Sequence, residues 1–76
     1  MNDILRMHKL IVESEKLSVK IINLEDFMKS DKFNTMQDLQ KNLLTDQYDI
    51  MRDYLTILLR RIYFMNEVNE VSDNEV

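Results

Sequence analysis

Apolar residues recur at three- and four-residue steps through the first third of the chain. Met7, Leu10, Leu17, Ile21, Leu24 and Met28 form a stripe that Ile4, Ile11 and Ile22 widen. That spacing predicts an amphipathic helix over about residues 3–29. The stripe is broken at Ser14, and at roughly 100° per residue Ser18 and Glu25 also project from the apolar arc. Residues 30–35, Ser-Asp-Lys-Phe-Asn-Thr, are the one turn-like stretch. Asn34 or Thr35 is the expected cap of a second helix over about 36–66, because Gln37 or Asp38 follows three residues on, as in a capping box.

The second helix carries more apolar surface than one neighbour needs. Tyr48, Met51, Leu55, Leu58, Ile62 and Met65 form one strip, and Leu43, Ile50, Ile57 and Phe64 form another beside it. Together they cover roughly 200° of the helix, against the roughly 100° that packs on a single partner. Leu43, Ile50, Ile57 and Phe64 are therefore assigned to an oligomer interface. In heptad spelling, Leu44, Met51, Leu58 and Met65 hold one seam position, while Gln47, Tyr54 and Arg61 hold the other, where leucine is usual. A short connection makes the helices antiparallel neighbours. A turn centred near Phe33 and Asn34 sets Ser14 opposite Tyr54 and Met7 opposite Arg61, and brings Glu13 within reach of Arg61. The fold class predicted is all-α: an antiparallel two-helix hairpin over 1–66 that assembles into a homo-oligomeric helical bundle. Residues 67–76, in a region where Asn-Glu-Val occurs three times, are read as an acidic flexible tail.

Length supports assembly. A chain of 76 residues buries a small fraction of its surface and is marginal alone. With no Cys and a single His, neither disulfides nor zinc can compensate, so oligomerisation remains. Gly, Pro, Ala, Trp and Cys are absent while Asn, Lys and Ile abound, a bias that fits an AT-rich genome such as that of a phage or low-GC bacterium. Lack of Gly also excludes glycine-rich phosphate loops.

The net charge of −4 is local, because four of the fourteen acidic residues follow Asn66 and the rest of the chain carries ten against ten basic. A neutral body argues against general DNA or RNA binding. No signal peptide or membrane span is expected, and the compartment expected is the host cytoplasm.

Catalysis finds little support. His8 has no Cys or acidic partner at a recognisable spacing, and the carboxylates Glu13, Glu15, Glu25 and Asp26 lack the Glu-x-x-His pairs of a di-iron bundle. Intrahelical pairs such as Glu13–Lys16 and Glu25–Lys29 account for most of them. The chain is read as no enzyme, with no cofactor and no metal site. The ladder is the sharper candidate: Arg61 offers a planar fork for phosphate, Tyr54 an aromatic face with a hydroxyl, and Gln47 an amide for a polar edge. In a purely structural reading, Tyr54 is core, Gln47 sets register and Arg61 pairs with Glu13.

Lys9-Leu10, Glu13, Leu17, Lys20-Ile21, Leu24 and Phe27, followed by Gln47, Met51, Tyr54, Ile57-Leu58 and Arg61-Ile62, resemble a group of small phage proteins named for a relative in crAss-like phages. Their pattern reads similarly as Arg-(Val/Met)-x-x-Glu, Leu-x-x-Lys-(Leu/Ile)-x-x-Leu-x-x-Phe, then Gln-x-x-x-Met-x-x-Tyr-x-x-(Ile/Val)-Leu-x-x-Arg-Ile. The resemblance spans about Lys9 to Ile62, with Lys9 standing where the group has Arg. It implies a phage origin and a helical hairpin, and makes Gln47, Tyr54 and Arg61 part of a shared motif.

By analogy with phage proteins that act against host defence, the function expected is counter-defence sequestration of a small anionic ligand, such as a nucleotide immune signal, by a homo-oligomer. The binding residues assigned are Gln47, Tyr54, Arg61, Glu13, Lys9 and Lys20. The alternative is a protein-interaction module, an inhibitor or adaptor docking a host defence protein or phage protein through the exposed apolar face.

Overall fold

The computed structural model describes the backbone of residues 2–75 and the side chains of residues 4–67. Three helices follow in order: α1 over Asn2–Met28, α2 over Asp31–Asn34 and α3 over Asp38–Glu75. No strand occurs among the described residues, so the chain is all-α. The molecule is a rod 60 Å long and about 16 Å across.

α1 ends in a bonded turn. The Lys29 and Ser30 backbone N–H groups donate to the Asp26 and Phe27 carbonyls, and Ser30 Oγ both donates to the Phe27 carbonyl and accepts from the Phe33 N–H. Ser30 thereby caps α2, a single helical turn inside the stretch expected to be irregular. The Phe27 and Phe33 rings meet edge to face, with centroids 6.2 Å apart, and fix the angle of the connection.

The second long helix starts later than its expected cap. Asn34 closes α2, and Thr35 is its C-cap, with the Thr35 hydroxyl donating to the Lys32 carbonyl rather than capping α3. Gln37 supplies the first carbonyl of α3, accepting from the Lys41 N–H. The physical reason is local: once Ser30 winds residues 31–34 into a turn, Thr35 is spent on finishing it. Asn66, the expected end of the second helix, lies within α3, which continues to Glu75. No Gly or Pro is present to stop it.

α1 packs along α3. Leu10, Leu17 and Ile21 of α1 bury Leu58 of α3, which is fully enclosed, and Tyr48, Met51, Leu55, Ile62 and Met65 pack around this cluster. Cross-helix bonds join position 13 to 54 and position 25 to 48, so as one index rises the other falls. Ser14, the break in the α1 stripe, is buried without penalty because its Oγ donates to the Ile11 carbonyl at 2.7 Å. The strip Leu43, Ile50, Ile57 and Phe64 stays 54–67% exposed, uncovered by α1.

Candidate functional site

Lys9, Glu13, Lys16 and Lys20 recur at four- and three-residue steps, which sets them in one row along α1. The row lies beside α3 and forms one wall of an open groove of about 340 Å³, with Val12 and Leu17 supplying apolar lining and Tyr54 the facing wall. The groove therefore combines three ammonium groups, one carboxylate, an aliphatic floor and an aromatic ring.

Tyr54 is held in place from α1. Its hydroxyl donates to a Glu13 carboxylate oxygen, and that bond holds the phenol above its ordinary value of 10.0, with Arg61 acting weakly in the opposite sense. The expected Glu13–Arg61 pair is not formed. Among the described residues the one ion pair is Lys29–Glu25 at 3.3 Å, so the expected Glu13–Lys16 pair is also absent while Glu25–Lys29 is present. The reason is reach: Glu13 turns across the seam to the Tyr54 hydroxyl, and among the described residues no carboxylate lies within 4 Å of Lys9, Lys16 or Lys20.

A matching bond closes the other flank of the seam. Tyr48 donates to Glu25 at 3.0 Å, and Glu25 also accepts from Lys29. These two bonds, the one to Tyr48 first, hold the Glu25 carboxyl below 4.5. At roughly 100° per residue, Tyr48 and Tyr54 stand on opposite sides of the apolar strip of α3, as Glu25 and Glu13 do on α1. One Tyr–Glu bond thus borders each side of the core, but only the Tyr54 side opens into the groove.

Of the six residues assigned to ligand binding from sequence, the groove brings together Lys9, Glu13, Lys20 and Tyr54. Gln47 and Arg61 do not line it. Gln47 is exposed and its amide donates to Met51 Sδ at 3.7 Å, one turn on along α3, and Arg61 is exposed. Lys16 is the charged groove residue missing from that set, and the apolar Val12 and Leu17 are missing too. The place of Lys16 in the 9-13-16-20 row is readable in the sequence, but the Glu13–Lys16 spacing is equally that of a solvated intrahelical pair. Among the described residues no three or more His, Cys, Asp or Glu are placed so that they could hold a metal ion, and no helix is long and apolar enough to cross a membrane.

A family model described as Sequestin matches residues 6–64, a span that takes in both groove walls and the ladder. No curated protein and no solved structure matches the chain.

Proposed function

This chain belongs to the Sequestin family, and we propose that what it sequesters is a small anionic ligand such as a signalling nucleotide, taken up in the lysine-lined groove. The observation that carries this reading is a groove lined by three lysines, none with a described carboxylate within 4 Å, together with apolar side chains and an aromatic ring. Lys9, Lys16 and Lys20 meet phosphate as point charges, and the Tyr54 ring offers a face to a base. Glu13 orients that ring through its bond to the hydroxyl. The chain acts stoichiometrically, as a phage counter-defence protein in the host cytoplasm. It works as an antiparallel hairpin assembled with copies of itself.

Calorimetry against cyclic and linear nucleotides, with pyrophosphate as the minimal probe, tests the reading. Binding that is weakened by Lys16→Ala and Tyr54→Ala supports it, and uniform absence of both heat and thermal stabilisation sinks it.

The exposure of Leu43, Ile50, Ile57 and Phe64 favours a second reading, docking of a host or phage protein on α3. Stoichiometric capture of that protein by the Arg61→Ala variant, with no nucleotide bound, would support this alternative.

A further inference from the structure

An open groove on a rod 16 Å across is a poor container. Small-molecule sites typically bury about 70–90% of their ligand. Exposed ion pairs add little, because solvent screens them. Something must cover the groove, and α3 carries the means beside it. Leu43, Ile50, Ile57 and Phe64 lie seven residues apart and are 54–67% exposed. Three residues beyond successive members of this strip come Asp46, Asp53 and Arg60, on one flank; four residues beyond come Gln47, Tyr54 and Arg61, on the other. The second flank borders the groove through Tyr54.

The flank charges distinguish the ways two copies can meet. Parallel packing of strip on strip sets each flank against the opposite flank of the second copy, Asp46 beside Gln47, Asp53 beside Tyr54 and Arg60 beside Arg61, so it pairs no opposite charges and opposes Arg60 to Arg61 twice. Antiparallel packing sets Leu43 against Phe64 and Ile50 against Ile57, brings Asp46 beside the second copy's Arg60 twice over, and leaves Asp53 alone facing its own kind. Like charges across an interface are costly, so the antiparallel register wins. Covering four large apolar side chains and their flanks on each copy removes on the order of 1,000 Å² from water, the area at which specific interfaces begin.

We propose that a second copy of the chain packs antiparallel on the Leu43–Phe64 strip of α3 and contributes its Arg61 to the Lys20 end of the groove. The same register sets the second copy's Arg61 beside Gln47. Gln47 stands level with Lys20, because Tyr54 meets Glu13 and the two indices run in opposite senses. Arg61 is thus a groove residue in trans, which explains why it lines nothing within its own chain. The role given to Arg61 rests on the groove reading, whereas the pairing of copies does not.

The chain has no Cys, so single thiols report the register directly. Full-length Gln47→Cys and Arg61→Cys variants, both substituted at exposed positions and checked for helicity by circular dichroism, are mixed and bridged with a short bis-maleimide. The expected main product is the mixed 47–61 dimer. Products joining only like to like would overturn the antiparallel register, and absence of covalent product with a single-chain mass in sedimentation would overturn the pairing.

A charge swap provides a second readout. Asp46→Arg should weaken dimerisation roughly tenfold, and adding Arg60→Asp should restore it. Failure of the double variant to recover overturns the register. A 47–61 cross-link in a protein that binds no nucleotide would remove the ligand reading and leave the pairing standing.

Discussion

The two Tyr–Glu bonds tie the side-chain chemistry of the helix pair to pH in opposite directions. Tyr54 has its value raised, so the stabilisation from its bond to Glu13 is complete below pH 10.0 and is lost as pH rises through the raised value. Glu25 has its value lowered. Its contribution is present above 4.5 and is lost as pH falls through the lowered value. Glu13→Gln should therefore bring the Tyr54 phenol back toward 10.0 in an ultraviolet titration of tyrosinate, with helicity unchanged at neutral pH. Glu25→Gln should flatten the acid limb of a thermal-stability profile below pH 4.5 while leaving the alkaline limb as it was. An alkaline limb that moved with Glu25→Gln would contradict the assignment of one bond to each limb. These residues also mark where sequence reasoning failed. Glu13 had two cations within reach in the linear pattern, Lys16 on its own helix and Arg61 across the seam. It took a neutral hydroxyl instead, and a wheel projection has no means of ranking a rotamer that crosses a seam against one that runs along a helix.

At the scale of the helix, burial separates two neighbouring residues of α3. Leu58 is completely enclosed and Ile57 is 54% exposed, although they adjoin in sequence and are equally apolar. Leu58→Ala should cost about 2–5 kcal/mol of stability, since the cavity it leaves lies between two helices with little else to fill it. Ile57→Ala should cost little in dilute solution, and its effect should grow with protein concentration, because the surface it removes belongs to the proposed contact between copies. Urea titrations at two concentrations a hundredfold apart distinguish the pair. The division between Leu58 and Ile57 was legible in sequence, since the strips through 58 and 57 are separate on the wheel and one of them had to face α1. The connection was not. Ser30, Asn34 and Thr35 are all competent caps. Their competition is decided by which N–H each can reach, and Ser30 reaches that of Phe33 at 3.4 Å. The end of α3 was also missed, because an acidic, weakly amphipathic stretch without Gly or Pro carries no stop signal strong enough to place a boundary.

For the molecule as a whole, the pairing of copies makes a prediction that no single-chain reading shares. In the proposed antiparallel pair each groove draws Tyr54 from one copy and Arg61 from the other. Tyr54→Ala and Arg61→Ala homodimers should then each have two damaged grooves. Their equimolar mixture contains heterodimers in which one groove carries both lesions and the other carries neither. Titrating the mixture with pyrophosphate should recover about a quarter of the wild-type sites, because half the dimers are mixed and each holds one intact groove of two. If both residues acted on one groove within a single chain, every groove in every dimer would retain a lesion and mixing would recover nothing. Asp53 supplies the complementary test of geometry, as the one charge forced against its own copy near the two-fold axis. Asp53→Asn removes that repulsion without altering the apolar strip, so it should tighten dimerisation a few-fold in sedimentation equilibrium, with the gain shrinking as salt is added. In a parallel pair Asp53 would face Tyr54 rather than its own copy, so the same substitution would leave association unchanged, and mixing would recover no sites. The two measurements together therefore separate the antiparallel pair from both alternatives.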